Sequence, residues 1–199
     1  HFDPAKAYYV HESEVVDQIY DALFGYHYLK RPYEVIPEAA AEIPDPVYFD
    51  HNGERLTDPD PSAIQVARAE YIIEIKKGMR YAPHPCFARD EDGKLLYHAL
   101  SHDDVRKIES PMDFKQLGSR EVTAEDYALQ IRRMADPRLN CRIYATLARY
   151  VLGYEELFKT YREILQRERE RRKTEAGAVY DQSQNELRNP IQFDYFSIP

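Results

Sequence analysis

The sequence predicts a mixed domain, α/β with α+β character, and three observations predict it. Residues 120–137 read as a well-capped amphipathic helix. Thr123 is a good N-cap, Glu125 and Asp126 set negative charge at the positive end of the helix dipole, and Tyr127, Ile131 and Met134 recur at i, i+4, i+7 as one apolar face. Asp136-Pro137 ends that helix, because a residue before proline is pushed out of the α region. Residues 69–75 (Ala-Glu-Tyr-Ile-Ile-Glu-Ile), β-branched and aromatic and followed by Lys77-Gly78, are the clearest strand. Helical periodicity then returns over residues 142–165.

In chain order, Asp3-Pro4 makes a turn and residues 7–10 run extended. Ser13 is placed to cap a helix reaching about Phe24, with Val15, Val16, Ile19, Tyr20, Leu23 and Phe24 as its stripe. Residues 25–32 form a turn rich in rings and cations. Glu38–Ile43 reads as a short helix stopped by Pro44-Asp45-Pro46, and Val47–Phe49 as a strand. Asp50–Gly53 and Asp90–Gly93 are turns. Met79–Tyr81 continues or pairs with the strand at 69–75, and Pro83 and Pro85 exclude a central strand there. Ser101 is a candidate cap for a helix over 103–108. Ile143, Leu147, Tyr150 and Val151 share one helical face over 142–152. Gly153 breaks that helix, and Tyr154, Leu157, Phe158, Tyr161 and Leu165 begin another. Its end, Arg167–Lys173, reads as a solvated helix laced by Glu–Arg pairs rather than as a docking patch. Residues 175–178 read as flexible.

Composition narrows the function classes. Hydrophobic residues at 43% of 199 suffice for a core, and a net charge of −8 argues against a general nucleic-acid surface, which needs clustered Lys and Arg. Seventeen tyrosines and no tryptophan suit polar pockets, where a ring stacks and its hydroxyl hydrogen-bonds. No apolar run is long enough to span a bilayer. The chain carries no nucleophile elbow, phosphate loop, dinucleotide fingerprint or C-x-x-C, so no enzyme, catalytic residue or cofactor is predicted. His84, His98 and His102 lie near several aspartates, yet none has metal-ligand spacing with a third partner, and His27 has no partner at such spacing; no metal is predicted. Cys86 and Cys141 are far apart. An oxidising compartment would permit a disulfide, but the sequence does not show that the two approach.

Four stretches carry a resemblance: Phe2–Lys6 with the helix after it, Tyr71–Tyr81, Pro83–Ala88, and Arg120–Pro137 with its T-A-x-D…R-x-A-D-P pattern. In this order they resemble extracellular solute-binding proteins of the oligopeptide/dipeptide class (family 5), which serve ABC importers. Residues 190–199 resemble that family's P-x-F-x-Y…F…P segment. The resemblance implies an incomplete N-terminal lobe of a class II periplasmic-binding-protein-like fold. Residues 1–33 would start the main lobe with a ligand-side strand and helix, and residues 34–199 would form its smaller subdomain, the chain being either shortened or missing segments near 175–195, with the second lobe absent. It implies a periplasmic protein whose export signal has been removed, which captures peptides or a similar small solute and delivers them to ABC permease subunits in the inner membrane. Ligand contact falls on Tyr8, Tyr9 and Val10, where main-chain pairing would hold a peptide without reading its sequence. The competing expectation, from another class, is a helical interaction or scaffold domain built on residues 153–173.

Overall fold

The computed structural model of the chain describes residues 2–177 and 181–198. Among these the fold is mixed, with six α-helices and two small antiparallel sheets. The chain divides into two compact units. One is continuous, residues 21–124; the other joins residues 2–20 to residues from 125 onward.

In the continuous unit, β1 (Phe24–Tyr26) pairs with β2 (Val35–Pro37), Gly25 opposite Ile36, and β3 (Val47–Phe49) pairs with β4 (Arg68–Glu70), Tyr48 opposite Ala69. Two hairpin turns share one device. Asp50 Oδ1 accepts the N–H of Asn52 and Glu54, and Asp90 Oδ1 accepts those of Asp92 and Lys94, so each aspartate replaces backbone partners at a turn that Gly53 and Gly93 complete. The expected helix at Glu38–Ile43 does not form. Ala39 and Ala40 are buried, and the backbone there pairs across to residues 74–76: Ala41 N–H donates to Glu74 O, and Lys76 N–H to Ala39 O. Tertiary pairing overrides the helical preference of the alanines. The strand expected over 69–75 is correspondingly interrupted, since it belongs to β4 only through Glu70 and returns to a β-bridge at Ile75. Further on, α2 (His102–Val105) is shorter than the sequence suggests. Ser101 does cap it, its hydroxyl accepting the Asp104 N–H at 3.2 Å.

Residues 79–84 run beside residues 118–122. Tyr81 N–H donates to Arg120 O, Val122 N–H to Met79 O, and His84 and Gly118 exchange both backbone bonds. Gly118 is required by this approach, because a Cβ there would lie 2.1 Å from the Phe87 carbonyl oxygen. The Arg120 guanidinium covers the rings of Tyr81, at 4.8 Å, and Phe87, at 5.4 Å.

The discontinuous unit contains α1 (Val10–Ile19), α3 (Ala124–Met134), α4 (Tyr144–Tyr150), α5 (Tyr154–Ala176) and α6 (Gln182–Arg188). α3 lies where its sequence places it, although Ile131 keeps 42% of its surface exposed. On α4 the packed side chains are Tyr144, Leu147 and Ala148, while Ile143, Tyr150 and Val151 face solvent; the buried face is rotated from the expected one. Gly153, at φ 76°, makes the left-handed joint into α5. Tyr154 and Tyr161 of α5 are buried in one cluster with Ala135 and Ile198, against which Phe193 and Tyr195 pack, and Leu165 is buried further along the helix. Fully burying an apolar side chain of this size contributes about 1.5–3 kcal/mol. The charged end of α5 is laced as expected: Glu168 pairs with Arg171 at 2.7 Å and Arg172 at 2.8 Å, and Arg169 reaches across to Glu186 on α6 at 2.7 Å. Of the flexible stretch expected at 175–178, residues 175 and 176 are helical and Ala178 lies outside the described residues.

Candidate functional site

The N-terminal stretch is anchored by its turn. Asp3 Oδ1 accepts the Ala5 N–H, and the Asp3 carbonyl accepts those of Lys6 and Ala7. From α3, 130 residues away in sequence, Arg133 grips the Asp3 carboxylate with both terminal nitrogens, the shorter contact being 2.6 Å. Partial burial works against ionisation of Asp3, but the Arg133 hydrogen bond and charge outweigh it and hold the carboxyl below its ordinary range.

Tyr8, Tyr9 and Val10 follow this anchor and are all exposed; Tyr8 and Tyr9 each keep 58% of their surface. Their rings meet edge-on at 6.1 Å, and the His11 ring stacks on Tyr9 at 5.7 Å, giving a solvent-facing aromatic patch. The backbone differs from the extended run expected. Val10 is already the first residue of α1, three positions before Ser13, and the helix stops at Ile19, because Phe24 is committed to β1. Glu12 causes the early start: its Oε2 accepts the N–H of Tyr8 at 3.1 Å and of Tyr9 at 3.3 Å, as the third residue of a capping box does. Two of the N–H groups that strand addition would use are therefore engaged by a side chain, and the exposed rings are what the patch offers a ligand.

Just past the same, C-terminal end of α3 is a polar cluster whose geometry the sequence does not reveal. Asp136 is 1% exposed. Its carboxylate accepts from Arg138 Nη2 at 2.6 Å, from Arg138 Nε and backbone N–H, and from the Tyr195 hydroxyl at 2.7 Å. Arg138 also lies 4.2 Å over the Phe193 ring and donates to the Ile191 carbonyl, while Arg132 donates to the carbonyls of Tyr195 and Ile198. Burial opposes ionisation of Asp136, but hydrogen bonds from Arg138 and Tyr195 outweigh it and lower its pKa. Burial, followed by donation to Asp136, pushes the Tyr195 phenol up to about 12. A carboxylate this fully paired has no free lone pair aimed at solvent; the cluster holds residues 191–198 in place rather than presenting a reactive group. The only sequence signal for it was Asp136 beside a proline, which reads equally well as a helix stop.

The remaining candidates from the sequence are dispersed. His84 caps a 3₁₀ turn at Pro85–Phe87, its Nδ1 accepting the Cys86 N–H. His27 Nδ1 accepts the Leu29 N–H. Cys86 and Cys141 are free thiols. Among the described residues no three His, Cys, Asp or Glu side chains converge as metal ligands, and no helix is long and apolar enough to cross a membrane. Compared with protein-family models, curated proteins and solved structures, the chain matches none.

Proposed function

We propose that this chain is the N-terminal part of a solute-binding protein of the oligopeptide/dipeptide class, a periplasmic-binding-protein-like lobe that captures a peptide or similar small solute and passes it to ABC permease subunits at the inner membrane. The role is binding rather than catalysis. One observation carries the proposal. The stretches that resemble the family are scattered through the sequence, yet in each unit they are bonded to the segment 120–137: Arg133 to Asp3 in one, Arg120 and Val122 to Tyr81 and Met79 in the other. Motifs matched by chance have no reason to be one another's partners. The exposed Tyr8–Tyr9–His11 patch beside the Asp3 anchor supplies the ligand surface.

The test is thermal unfolding of the mature protein, purified from a cell-envelope extract, with and without a casein peptide digest. A ligand at a hundred times its Kd stabilises by about 2.7 kcal/mol, which for a protein of this size is roughly 5–10 °C. That rise is expected in the natural protein and is expected to shrink in the Tyr8→Ala, Tyr9→Ala double variant. Absence of any rise across peptide, metabolite and metal-chelate mixtures would remove the receptor reading. It would favour the second one, a helical interaction domain, which rests on the 23-residue length of α5 and its ion-pair ladder.

A further inference from the structure

The turn of rings and cations between β1 and β2 directs its apolar side chains outward. At its tip Tyr28 keeps 87% of its surface and Leu29 77%. Tyr26 and Tyr33 flank them, also exposed, with their rings meeting edge-on at 5.8 Å. All four belong to one hairpin of the continuous unit.

The tip is braced from within. Arg31 Nη1 donates to the carbonyls of Tyr28, at 3.3 Å, and of Lys30, at 2.8 Å, and its guanidinium lies 4.3 Å over the Tyr33 ring. The Leu29 N–H donates to His27 Nδ1, and the His27 N–H to the Glu34 carbonyl. These bonds satisfy backbone groups that would otherwise lose their water on entering an apolar surface. Charge is also uneven. The tip carries Lys30 and Arg31 against Glu34 alone, a basic point on a chain of net charge −8. Lys30 is paired with Glu34 at 2.7 Å. Among the described residues Arg31 has no carboxylate partner, and its Nε and Nη2 make no hydrogen bond. A guanidinium fixed by a ring and two carbonyls, with Nε and Nη2 left over, presents the fork that grips a phosphate.

We propose that the tip of the β1–β2 hairpin docks on a phospholipid bilayer, Tyr28 and Leu29 entering the interface between headgroups and acyl chains while Arg31 takes a lipid phosphate. Tyrosine suits that depth, its ring in apolar surroundings and its hydroxyl wet, and the long stems of Lys30 and Arg31 let their charges stay among the headgroups. An unengaged guanidinium beside two exposed apolar side chains is what selects a lipid. Free phosphate would leave the apolar pair in water, and an apolar protein face would leave Arg31 without an anion. The docking does not depend on the receptor reading.

Co-sedimentation of the chain with vesicles of phosphatidylethanolamine and phosphatidylglycerol tests it. Physiological ionic strength is used, so that repulsion between an acidic chain and an acidic surface is screened beyond about 8 Å. The wild type is expected to bind. The double variant Tyr28→Ser, Leu29→Ser is expected to bind about tenfold more weakly or worse, and Arg31→Gln about fivefold more weakly. Ile64→Ser, at an equally exposed position of the same unit, is expected to bind as the wild type does. Insertion is read separately with Leu29→Cys in a Cys86→Ser, Cys141→Ser background, labelled with an environment-sensitive dye whose emission is expected to shift to the blue on vesicles; the same dye on Ile64→Cys is expected not to shift. Four results would each overturn the proposal: no binding to vesicles, including the case in which a protein covers this tip; binding indifferent to Tyr28→Ser, Leu29→Ser; a dye at position 29 that stays in water; or complete release by inorganic phosphate, which would leave a site for the free anion only.

Discussion

At the scale of single residues, Asp136 is where the chain is least tolerant. Its carboxylate is buried and carries bonds from Arg138 and Tyr195, so Asp136→Asn leaves a largely buried guanidinium without its counter-charge. Breaking one partner of a buried pair costs about 3–5 kcal/mol, and urea unfolding of the variant is expected to show a loss toward the lower end of that range, since Arg138 keeps some contact with water. The pH dependence has a definite sign. The folded pKa of Asp136 lies below its ordinary 3.8, so its contribution is present above that value and is lost as pH falls through the lower folded pKa. The stability gap between wild type and Asp136→Asn should therefore narrow on acidification below about pH 4; a gap constant down to pH 2 would contradict the assignment. Tyr195 acts at the opposite end. With its phenol raised from 10.0 to about 12, its contribution is complete below pH 10 and disappears as pH rises toward 12, a limb that Tyr195→Phe should lack. Tyr161 makes a contrasting case. Its hydroxyl is buried near the Arg132 side chain but makes no hydrogen bond of ordinary geometry, so Tyr161→Phe should keep or gain up to about 1 kcal/mol; a clear loss would mean that the Arg132 interaction stabilises the fold.

At the scale of elements, Gly118→Ala should cost about 2–3 kcal/mol, since backbone must shift to clear the Phe87 carbonyl. Wild-type stability in that variant would mean that the 79–84 and 118–122 segments are less closely apposed than described. Elements whose cause is local were legible in the sequence: the helix after Thr123, the break at Gly153, the long α5 and the two Asp-initiated hairpin turns all arise from residues within a few positions of one another. Elements whose cause is distant were not. Glu38–Ile43 has helical composition, but its backbone is claimed by residues 74–76. The start of α1 depended on Glu12 turning back to Tyr8 and Tyr9, a choice between two competing caps only a few residues apart. Tyr8, Tyr9 and Val10 were expected as an extended run free to pair with a peptide; that two of their N–H groups are engaged was not legible, because it depends on the Glu12 carboxylate turning back to them. The Asp136–Arg138–Tyr195 cluster joins residues 59 positions apart, and no periodicity reports that.

At the scale of the whole molecule, the division into two units makes a prediction of its own. Amide hydrogen exchange in Asp136→Asn should accelerate in residues 2–20 and from 125 onward, and stay near wild type in residues 21–124. Equal acceleration throughout would mean that the units unfold as one. The division also fixes an order of events at the ribosome. Residues 21–124 are contiguous and can fold as soon as they emerge. Asp3 has no partner until Arg133 appears, 130 residues later, and Asp136 and Arg132 wait for residues 191–198. The discontinuous unit is thus completed only after the continuous one has been made. Between the synthesis of Asp3 and that of Arg133 the Tyr8–Tyr9 surface lacks its anchor, and it becomes a fixed surface only once α3 has been made.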